Sequence, residues 1–324
     1  MSRQVTASPV SAGVVATDAV GLSAAALSGA APIKVWMQLL KPRVMTLVVL
    51  SGFAGMLVAP GDLHPVLGFV AVLCIAIGAG AAGAINMWYD RDIDAVMART
   101  RRRPLVMGQL PASEALAFGI VLSLFSVMLM GLALNWVAAA LLAFAIFFYV
   151  FVYTIWLKRR TPQNIVIGGA AGALPPMIGW AAATGEITLG SVVLFALIFF
   201  WTPPHFWALA LYRSNDYERA GVPMLPVVAG RKATERQILY YTLALLPLAL
   251  LPTFLGLAGW LYGGVALILG LFYIASALAI LRDKTDKSAR QSFGFSILYL
   301  FVLFTLLIID RQPFILGGPG AVLP

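Results

Sequence analysis

Charged residues are scarce in this chain of 324 amino acids. Lysine and arginine total 22, aspartate and glutamate total 13, and together they make up 11% of the sequence. A soluble domain carries roughly 25% charged residues, so the composition excludes an ordinary soluble protein. The single cysteine, Cys74, excludes an intramolecular disulfide and a zinc site built from cysteine pairs.

Long apolar runs occupy most of the sequence, and hydrophobic residues make up 61% of it. A helix that spans a bilayer needs about 17 to 25 mainly apolar residues. The sequence therefore predicts an all-α membrane protein, a bundle of about nine transmembrane helices. Proline pairs in the fifth and sixth spans predict a kink in each. The predicted spans are 41–59, 65–89, 114–134, 136–157, 165–184, 189–211, 238–257, 260–281 and 292–309.

Lysine and arginine fall almost entirely on one side of this predicted bundle, with Arg311 as the exception. Because cytoplasmic loops carry an excess of basic residues, we predict a multi-pass protein of the bacterial cytoplasmic (inner) membrane, with the N-terminus cytoplasmic and the C-terminus periplasmic. Residues 32–311 form the nine-helix domain, between a disordered tail at 1–31 and a short periplasmic tail at 312–324. The net charge of +9 then reflects topology, and nucleic acid binding is not indicated.

Asn86, Asp90 and Asp94 end the second span at positions i, i+4 and i+8. If the helix continues through them, they stack on one face and drift only about 40° per step. Acids this close to lipid indicate a function. A face of oxygen ligands suits Mg²⁺, which takes one or two carboxylates plus substrate phosphates. Asp92 lies about 200° around the helix from Asp90 and is predicted to face away from the metal.

A second acid-bearing loop, with Asp216, follows the sixth span on the same predicted side of the membrane. Two such loops on one face predict a shared pocket that opens to the cytoplasm. Arginines follow the first loop closely and can take the charge of bound phosphate.

The run from Asn86 through Asp90, Asp94, Arg99 and Arg103 resembles the signature of the UbiA-type intramembrane prenyltransferases. The resemblance covers about residues 34–310. Many members of that family carry a second pair of acids four residues apart, whereas Ala220 stands four residues after Asp216 here. The heme-farnesylating branch of the family generally shares that change. Three further blocks resemble this branch: Thr161–Gly169, Trp201–Ala210 and Asp216–Pro226.

The resemblance implies that farnesyl diphosphate binds with Mg²⁺ and ionises, and that a vinyl group of heme b attacks the allylic cation. Water then captures the new carbocation to give heme O for terminal oxidase assembly, so heme-handling or oxidase-assembly proteins are possible partners beside the lipid bilayer. The implied metal ligands are Asp90, Asp94 and Asp216, with Asn86 orienting a ligand. The implied diphosphate ligands are Arg43, Arg99, Arg103, Lys158 and Arg159, of which Arg43, Lys158 and Arg159 also have a purely topological interpretation.

His205 lies inside an apolar span and has two interpretations. It either contacts the heme acceptor, as an iron ligand or by orienting the porphyrin, or it bonds to backbone freed by Pro203 and Pro204. Trp207 and Tyr217 either line a flat acceptor pocket or are ordinary membrane aromatics. His64 lies in a short turn beside Pro65, away from the acids, and is interpreted as structural.

Two other functions fit parts of the sequence. A related prenyltransferase with a different acceptor, such as an aromatic acid or a chlorin, requires the first acidic loop but has no need of the blocks around His205 and Asp216. A transporter also places acids and broken helices in a membrane. Its acids would lie near the bilayer midplane, whereas these cluster at one face, and no paired repeat halves are visible.

Overall fold

The computed structural model describes residues 31–311, except for residue 284 and the side chain of Arg43. Within that part of the chain the structure is helical, and its only β-type pairing is an isolated bridge between Ala258 and Arg311. The predicted all-α architecture is therefore confirmed. The tails predicted at 1–31 and 312–324 lie outside the described residues, apart from residue 31.

Fourteen α-helices and one π-helix follow one another along the described chain. In chain order they are α1 (Ile33–Leu39), α2 (Pro42–Val58), α3 (Pro65–Tyr89), α4 (Arg91–Val96), α5 (Ala112–Ala133), α6 (Trp136–Phe147) continuing directly as π1 (Phe148–Leu157), α7 (Asn164–Ala173), α8 (Pro175–Thr184), α9 (Leu189–Tyr212), α10 (Ser214–Arg219), α11 (Leu225–Val228), α12 (Gly230–Phe254), α13 (Trp260–Arg282) and α14 (Lys287–Ile309).

The number of membrane spans agrees with the sequence prediction. In the described chain eight helices are long and apolar enough to cross a bilayer, and the α1–α2 pair, bent by 62°, makes a ninth if it counts as one span. The largest boundary difference is at α12, which begins at Gly230 instead of 238. Its charged first turns are stabilised because Arg231 donates to Glu235 and to Asp286, each at 2.8 Å.

The two proline pairs affect their helices differently. Pro175 and Pro176 begin α8, so the fifth span divides into two helices at Leu174. Pro203 and Pro204 lie within α9, which continues through them to Tyr212. The first pair thus coincides with a helix boundary and the second lies within one helix, and the predicted kink at each pair stays a prediction.

Glycines allow α2 and α8 to approach at backbone distance. A Cβ atom on Gly179 would overlap the carbonyl oxygen of Gly52, and one on Gly55 would overlap that of Pro176. Such close approach of small residues is how membrane helices gain packing energy without a hydrophobic drive between them. The close α2–α8 contact therefore depends on glycine at both positions.

Candidate active site

Asn86, Asp90 and Asp94 keep helical register across the junction between α3 and α4. The amide of Asp90 donates to the carbonyl of Asn86 at 2.9 Å, and that of Asp94 donates to the carbonyl of Asp90 at 2.8 Å. These two bonds bridge the junction, although α3 ends at Tyr89 and Asp90, with φ of −87° and ψ of 5°, departs from helical geometry there. The exposed fractions of the three residues are 4%, 0% and 2%, so these polar groups are withdrawn from water.

Cations from three separate segments reach these buried groups. Lys158 donates to Oδ2 of Asp90, and Arg103 donates to Oδ2 of Asp94. Asn86 also donates to Oδ2 of Asp90, at 2.6 Å, and accepts from the ammonium of Lys41 at 2.8 Å. Opposite charges and hydrogen bonds are what a buried carboxylate needs to stay ionised. The site is thus a buried acidic line enclosed by basic side chains.

Lys41 is a site residue that sequence reasoning missed, because its contact partner Asn86 is 45 positions away. It lies at the start of α2 with φ of 51°, the only positive φ among the described non-glycine residues. Side chains other than glycine rarely adopt this conformation, and such strain clusters at functional sites. The signal in the sequence was a lysine at the mouth of the first apolar run, directly before Pro42.

The π-helix π1 supplies another part of the site. Thr154 accepts from Nδ2 of Asn86 at 3.2 Å and donates to the carbonyl of Tyr149 at 2.8 Å. The amide of Lys158 bonds five residues back, to Tyr153, at 2.9 Å. π-Helical turns occur frequently at functional sites. Here the wider turn sets the register in which Thr154 and Lys158 meet Asn86 and Asp90.

Asp92 faces water, in agreement with the prediction that it turns away from Asp90, and 61% of its side chain is exposed. The guanidinium of Arg159 donates two hydrogen bonds to the Asp92 carboxylate, at 2.7 and 2.6 Å. These bonds lower the pKa of the Asp92 carboxyl and raise that of the Arg159 guanidinium. Arg159 also lies 3.6 Å from Oδ1 of Asp90, so it links the exposed acid to the buried one.

One buried carboxylate oxygen is left open. Oδ1 of Asp90 is inaccessible to solvent and has no hydrogen-bond partner. A hard anionic oxygen with free lone pairs fits a divalent cation such as Mg²⁺. No three His, Cys, Asp or Glu residues gather at metal-binding distance anywhere in the described part of the chain. Asp90, Asp94 and Asp216 are therefore not brought together as one three-acid site.

Asp216 is instead engaged by arginines of its own loop. It is buried, it pairs with Arg219, and Arg213 lies 3.8 Å from it. The loop nevertheless reaches the first acidic loop, because Tyr217 shares a buried apolar cluster with Ile93 and Met97. The two acid-bearing loops thus meet, as expected for a shared site, although their carboxylates do not converge on one point.

The predicted diphosphate ligands are distributed unevenly. Arg103, Lys158 and Arg159 contact the acids directly. Arg99 is exposed and is near enough to Tyr153 and Tyr212 to interact with them electrostatically. The side chain of Arg43 lies outside the described residues.

His205 is held between two aromatic rings. Its ring stacks on Trp201 with centroids 4.3 Å apart and on Phe293 at 4.6 Å. Its Nδ1 bonds to the hydroxyl of Ser296 at 2.6 Å, not to backbone freed by the prolines. Ser296 also donates to the carbonyl of Phe293 at 2.6 Å. When the single hydroxyl proton serves that carbonyl, the hydroxyl accepts from Nδ1–H and Nε2 keeps its lone pair.

The three predicted acceptor residues pack in different buried clusters. Trp207 packs in a buried cluster with Leu211 and Ile238, and its ring meets the edge of Tyr241 at 5.3 Å. Tyr217 belongs to a different cluster, beside the acidic loop. His205 belongs to a third aromatic stack on α9 and α14.

Comparison with known proteins gives a consistent result. The model of the UbiA prenyltransferase family matches residues 48–306. A protoheme IX farnesyltransferase of Parvibaculum lavamentivorans is 62% identical over 281 residues, covering 86% of this chain and 88% of the relative. One of Acidiphilium cryptum is 61% identical, covering 85% and 90%.

Solved structures share the fold at low identity. A structure of digeranylgeranylglyceryl phosphate synthase superposes with a TM-score of 0.72 at 18% identity and covers 86% of this chain and 98% of that one. A UbiA homologue from Archaeoglobus fulgidus bound to GPP and Mg²⁺ has a TM-score of 0.63 at 17% identity, covering 85% and 99%.

Proposed function

The chain belongs to the UbiA prenyltransferase family, and we propose that it transfers a farnesyl group from farnesyl diphosphate to a vinyl group of heme b. The buried line of Asn86, Asp90 and Asp94 within a shell of cations carries the proposal on the donor side. The identity of about 60% to protoheme IX farnesyltransferases supports heme as the acceptor. An aromatic acid or a chlorin as acceptor is the alternative that the experiment below tests.

Asp90 and Asp94 would hold Mg²⁺, and the open Oδ1 of Asp90 is the observation that supports this assignment. Bound Mg²⁺ supplies positive charge that stabilises a departing diphosphate. Asn86 fixes the Asp90 carboxylate through its 2.6 Å bond. Asp216 as a further metal ligand stays a prediction, and it requires Arg219 to release the carboxylate.

The basic side chains around the acids would bind the diphosphate. Lys41, Arg103, Lys158 and Arg159 bring four basic side chains to three acids, Asp90, Asp92 and Asp94, although burial and the neighbouring cations lower the pKa of Lys41. These preorganised donors would stabilise the charge that grows as the C–O bond breaks. Arg99 would extend this shell from the same loop.

The vinyl group is a weak nucleophile, so loss of diphosphate carries most of the activation. Its π electrons form the new C–C bond to the farnesyl cation, and the carbocation left on the former vinyl carbon takes a hydroxyl from water, which loses a proton. Early entry of water would hydrolyse the farnesyl cation, so the apolar helices must exclude it. Diphosphate and one proton leave with the hydroxyethylfarnesyl heme.

His205 is the group we assign to the acceptor. Trp201 and Phe293 fix its ring, and Ser296 fixes the tautomer with Nε2 unprotonated. Metal-binding histidines are commonly oriented by a hydrogen bond from the other ring nitrogen in this way. Trp207 and Tyr217 are assigned mainly to core packing, since they lie in two separate buried clusters.

The distribution of lysine and arginine supports a bacterial inner-membrane protein whose acidic loops face the cytoplasm. Both substrates are hydrophobic and would enter from the bilayer. Proteins that handle heme or assemble a terminal oxidase are the expected partners on the product side.

The test is mass spectrometry of hemes extracted after the purified protein is incubated with heme b, farnesyl diphosphate and Mg²⁺. We expect a hydroxyethylfarnesyl heme from the wild type and none from Asp90→Asn. If heme b stays unchanged while a supplied aromatic acid or chlorin is prenylated, that compound and not heme b is the acceptor. Release of diphosphate by Asp90→Asn at the wild-type rate would refute the donor site.

A further inference from the structure

Tyr212, the last residue of α9, lies between two guanidinium groups. The Cζ atom of Arg213 lies 5.7 Å from the centre of its ring, and that of Arg290 lies 5.4 Å away. Arg213 directly follows α9, whereas Arg290 lies in the first turn of α14, so the two arginines come from distant parts of the chain. Cation–π contact holds each guanidinium against the ring and limits its freedom.

The positive charge of this arginine pair is poorly neutralised. Arg213 is 3.8 Å from Asp216, but that carboxylate binds Arg219 more closely. No acidic oxygen in the described part of the chain lies within 4.0 Å of the Arg290 guanidinium. An arginine without an ion pair, beside a second one that is only loosely paired, attracts a carboxylate, and guanidinium groups match carboxylates in geometry.

A continuous aromatic path joins this pair to His205. Phe293 stacks on the imidazole at 4.6 Å and meets the ring of Tyr212 at 6.2 Å with an interplanar angle of 73°. Arg290 and Phe293 are three residues apart on α14 and therefore share a face. The cationic pair thus lies one aromatic ring away from the imidazole with the free Nε2.

These features match the chemistry of a porphyrin. Heme b has a broad apolar ring with iron at its centre and two propionate carboxylates on one edge. We propose that Arg213 and Arg290 bind the propionates of the acceptor, while its ring extends past Phe293 toward His205. The inference rests on the proposed function and deepens it. The diphosphate is a separate anion, because Lys41, Arg103 and Lys158 surround the other acidic loop.

The test compares Arg213→Gln and Arg290→Gln with the matched control Arg282→Gln, which removes a positive charge from the end of α13. Each purified full-length protein is titrated with heme b, with the dimethyl ester of heme b, whose propionates are uncharged, and with a labelled farnesyl diphosphate analogue. We expect each test variant to bind heme b roughly tenfold more weakly, the loss of one charge-assisted contact. The diphosphate affinity should not change.

The ester separates a propionate contact from a general effect. The wild type should bind the ester roughly a hundredfold more weakly than heme b, because the ester loses both contacts, and the variants should show no further loss with the ester. Arg290→Lys should recover part of the affinity because it keeps the charge. Both arginines are exposed, so thermal unfolding of the variants should match that of the wild type.

Three results would overturn the inference. Wild-type heme affinity in both variants would show that the arginines do not contact the acceptor. An equal loss for heme b and its ester would assign the effect to packing. A loss of diphosphate affinity in place of heme affinity would assign the pair to the donor. In each case the wild type still farnesylates heme, whereas failure of the wild type to bind or convert heme would refute the proposed function as well.

Discussion

The pairing of Lys158 with Asp90 gives the sharpest test of the site. Asp90 is 0% exposed, and its Oδ2 accepts from both Lys158 and Asn86. Removing one partner of a buried ion pair typically costs about 3 to 5 kcal/mol, because the other charge is left uncompensated. In Lys158→Met the bond from Asn86 remains and Arg159 is 3.6 Å from Oδ1. We therefore expect a smaller loss, roughly 2 to 3 kcal/mol of unfolding free energy.

Catalysis should respond differently from stability. Lys158→Met also removes a donor for the departing diphosphate, and loss of one such donor reduces turnover by about a hundredfold to a thousandfold. In the double variant Lys158→Met/Asp90→Asn neither charge remains, so part of the lost stability should return. The non-additive part should be roughly 1 to 3 kcal/mol, the range for groups in direct contact. Activity should stay absent, because the proposed metal ligand is also gone.

The assay measures unfolding in detergent for the wild type, both single variants and the double variant, with turnover measured on the same preparations. Asp92→Asn is the control, since its side chain is 61% exposed and bonds to Arg159 instead. An exposed pair contributes about 1 kcal/mol or less, and activity should fall only mildly. Additive effects of Lys158→Met and Asp90→Asn on stability would refute the buried pair. Turnover at the wild-type level in Lys158→Met would refute its role toward diphosphate.

Three further results are expected. Removal of divalent cations with a chelator should stop turnover, and added Mg²⁺ should restore it; full activity after verified metal removal would reject the metal assignment. His205→Ala should weaken heme binding with farnesyl diphosphate affinity unchanged, and Ser296→Ala should shift the heme absorption spectrum by freeing the imidazole tautomer, whereas a wild-type spectrum and affinity in both would make the histidine structural. Gly179→Ala should destabilise the protein by about 1 to 3 kcal/mol, the cost of overpacking, because its Cβ would overlap Gly52; Gly264→Ala, with open space at its Cβ, is the control.

Local spacing was sufficient to predict the acidic line. Asn86, Asp90 and Asp94 follow each other at one helical turn, and the hydrogen bonds across the α3–α4 junction preserve that register. The apolar runs likewise predicted the spans, because a bilayer sets their length. The start of α12 was misplaced since its charged residues are stabilised by Asp286, which lies 55 positions from Arg231. No local pattern contains that contact.

Contacts between distant segments explain the other gaps. Lys41 reaches Asn86 across 45 positions, and His205 reaches Ser296 across 91. A single sequence, read without comparison to others, does not reveal which of several basic residues will make such a contact. The π-helical turns of Phe148–Leu157 were also hidden, because an apolar run has the same composition in an α-helix and in a π-helix. The relative placement of Lys158 depends on that difference.

The burial of Asp90 explains why so many cations are needed around one acid. A carboxylate without solvent is held ionised only by charges and donors on the protein, and here Lys158 and Asn86 satisfy one of its two oxygens. The other, Oδ1, is left without a donor although it is equally buried. A protein optimised for stability alone would satisfy both oxygens or replace the acid by an apolar residue. Arg159, 3.6 Å away, gives Oδ1 a nearby positive charge but no hydrogen bond, and this incomplete pairing supports the proposal that the site takes a metal cation.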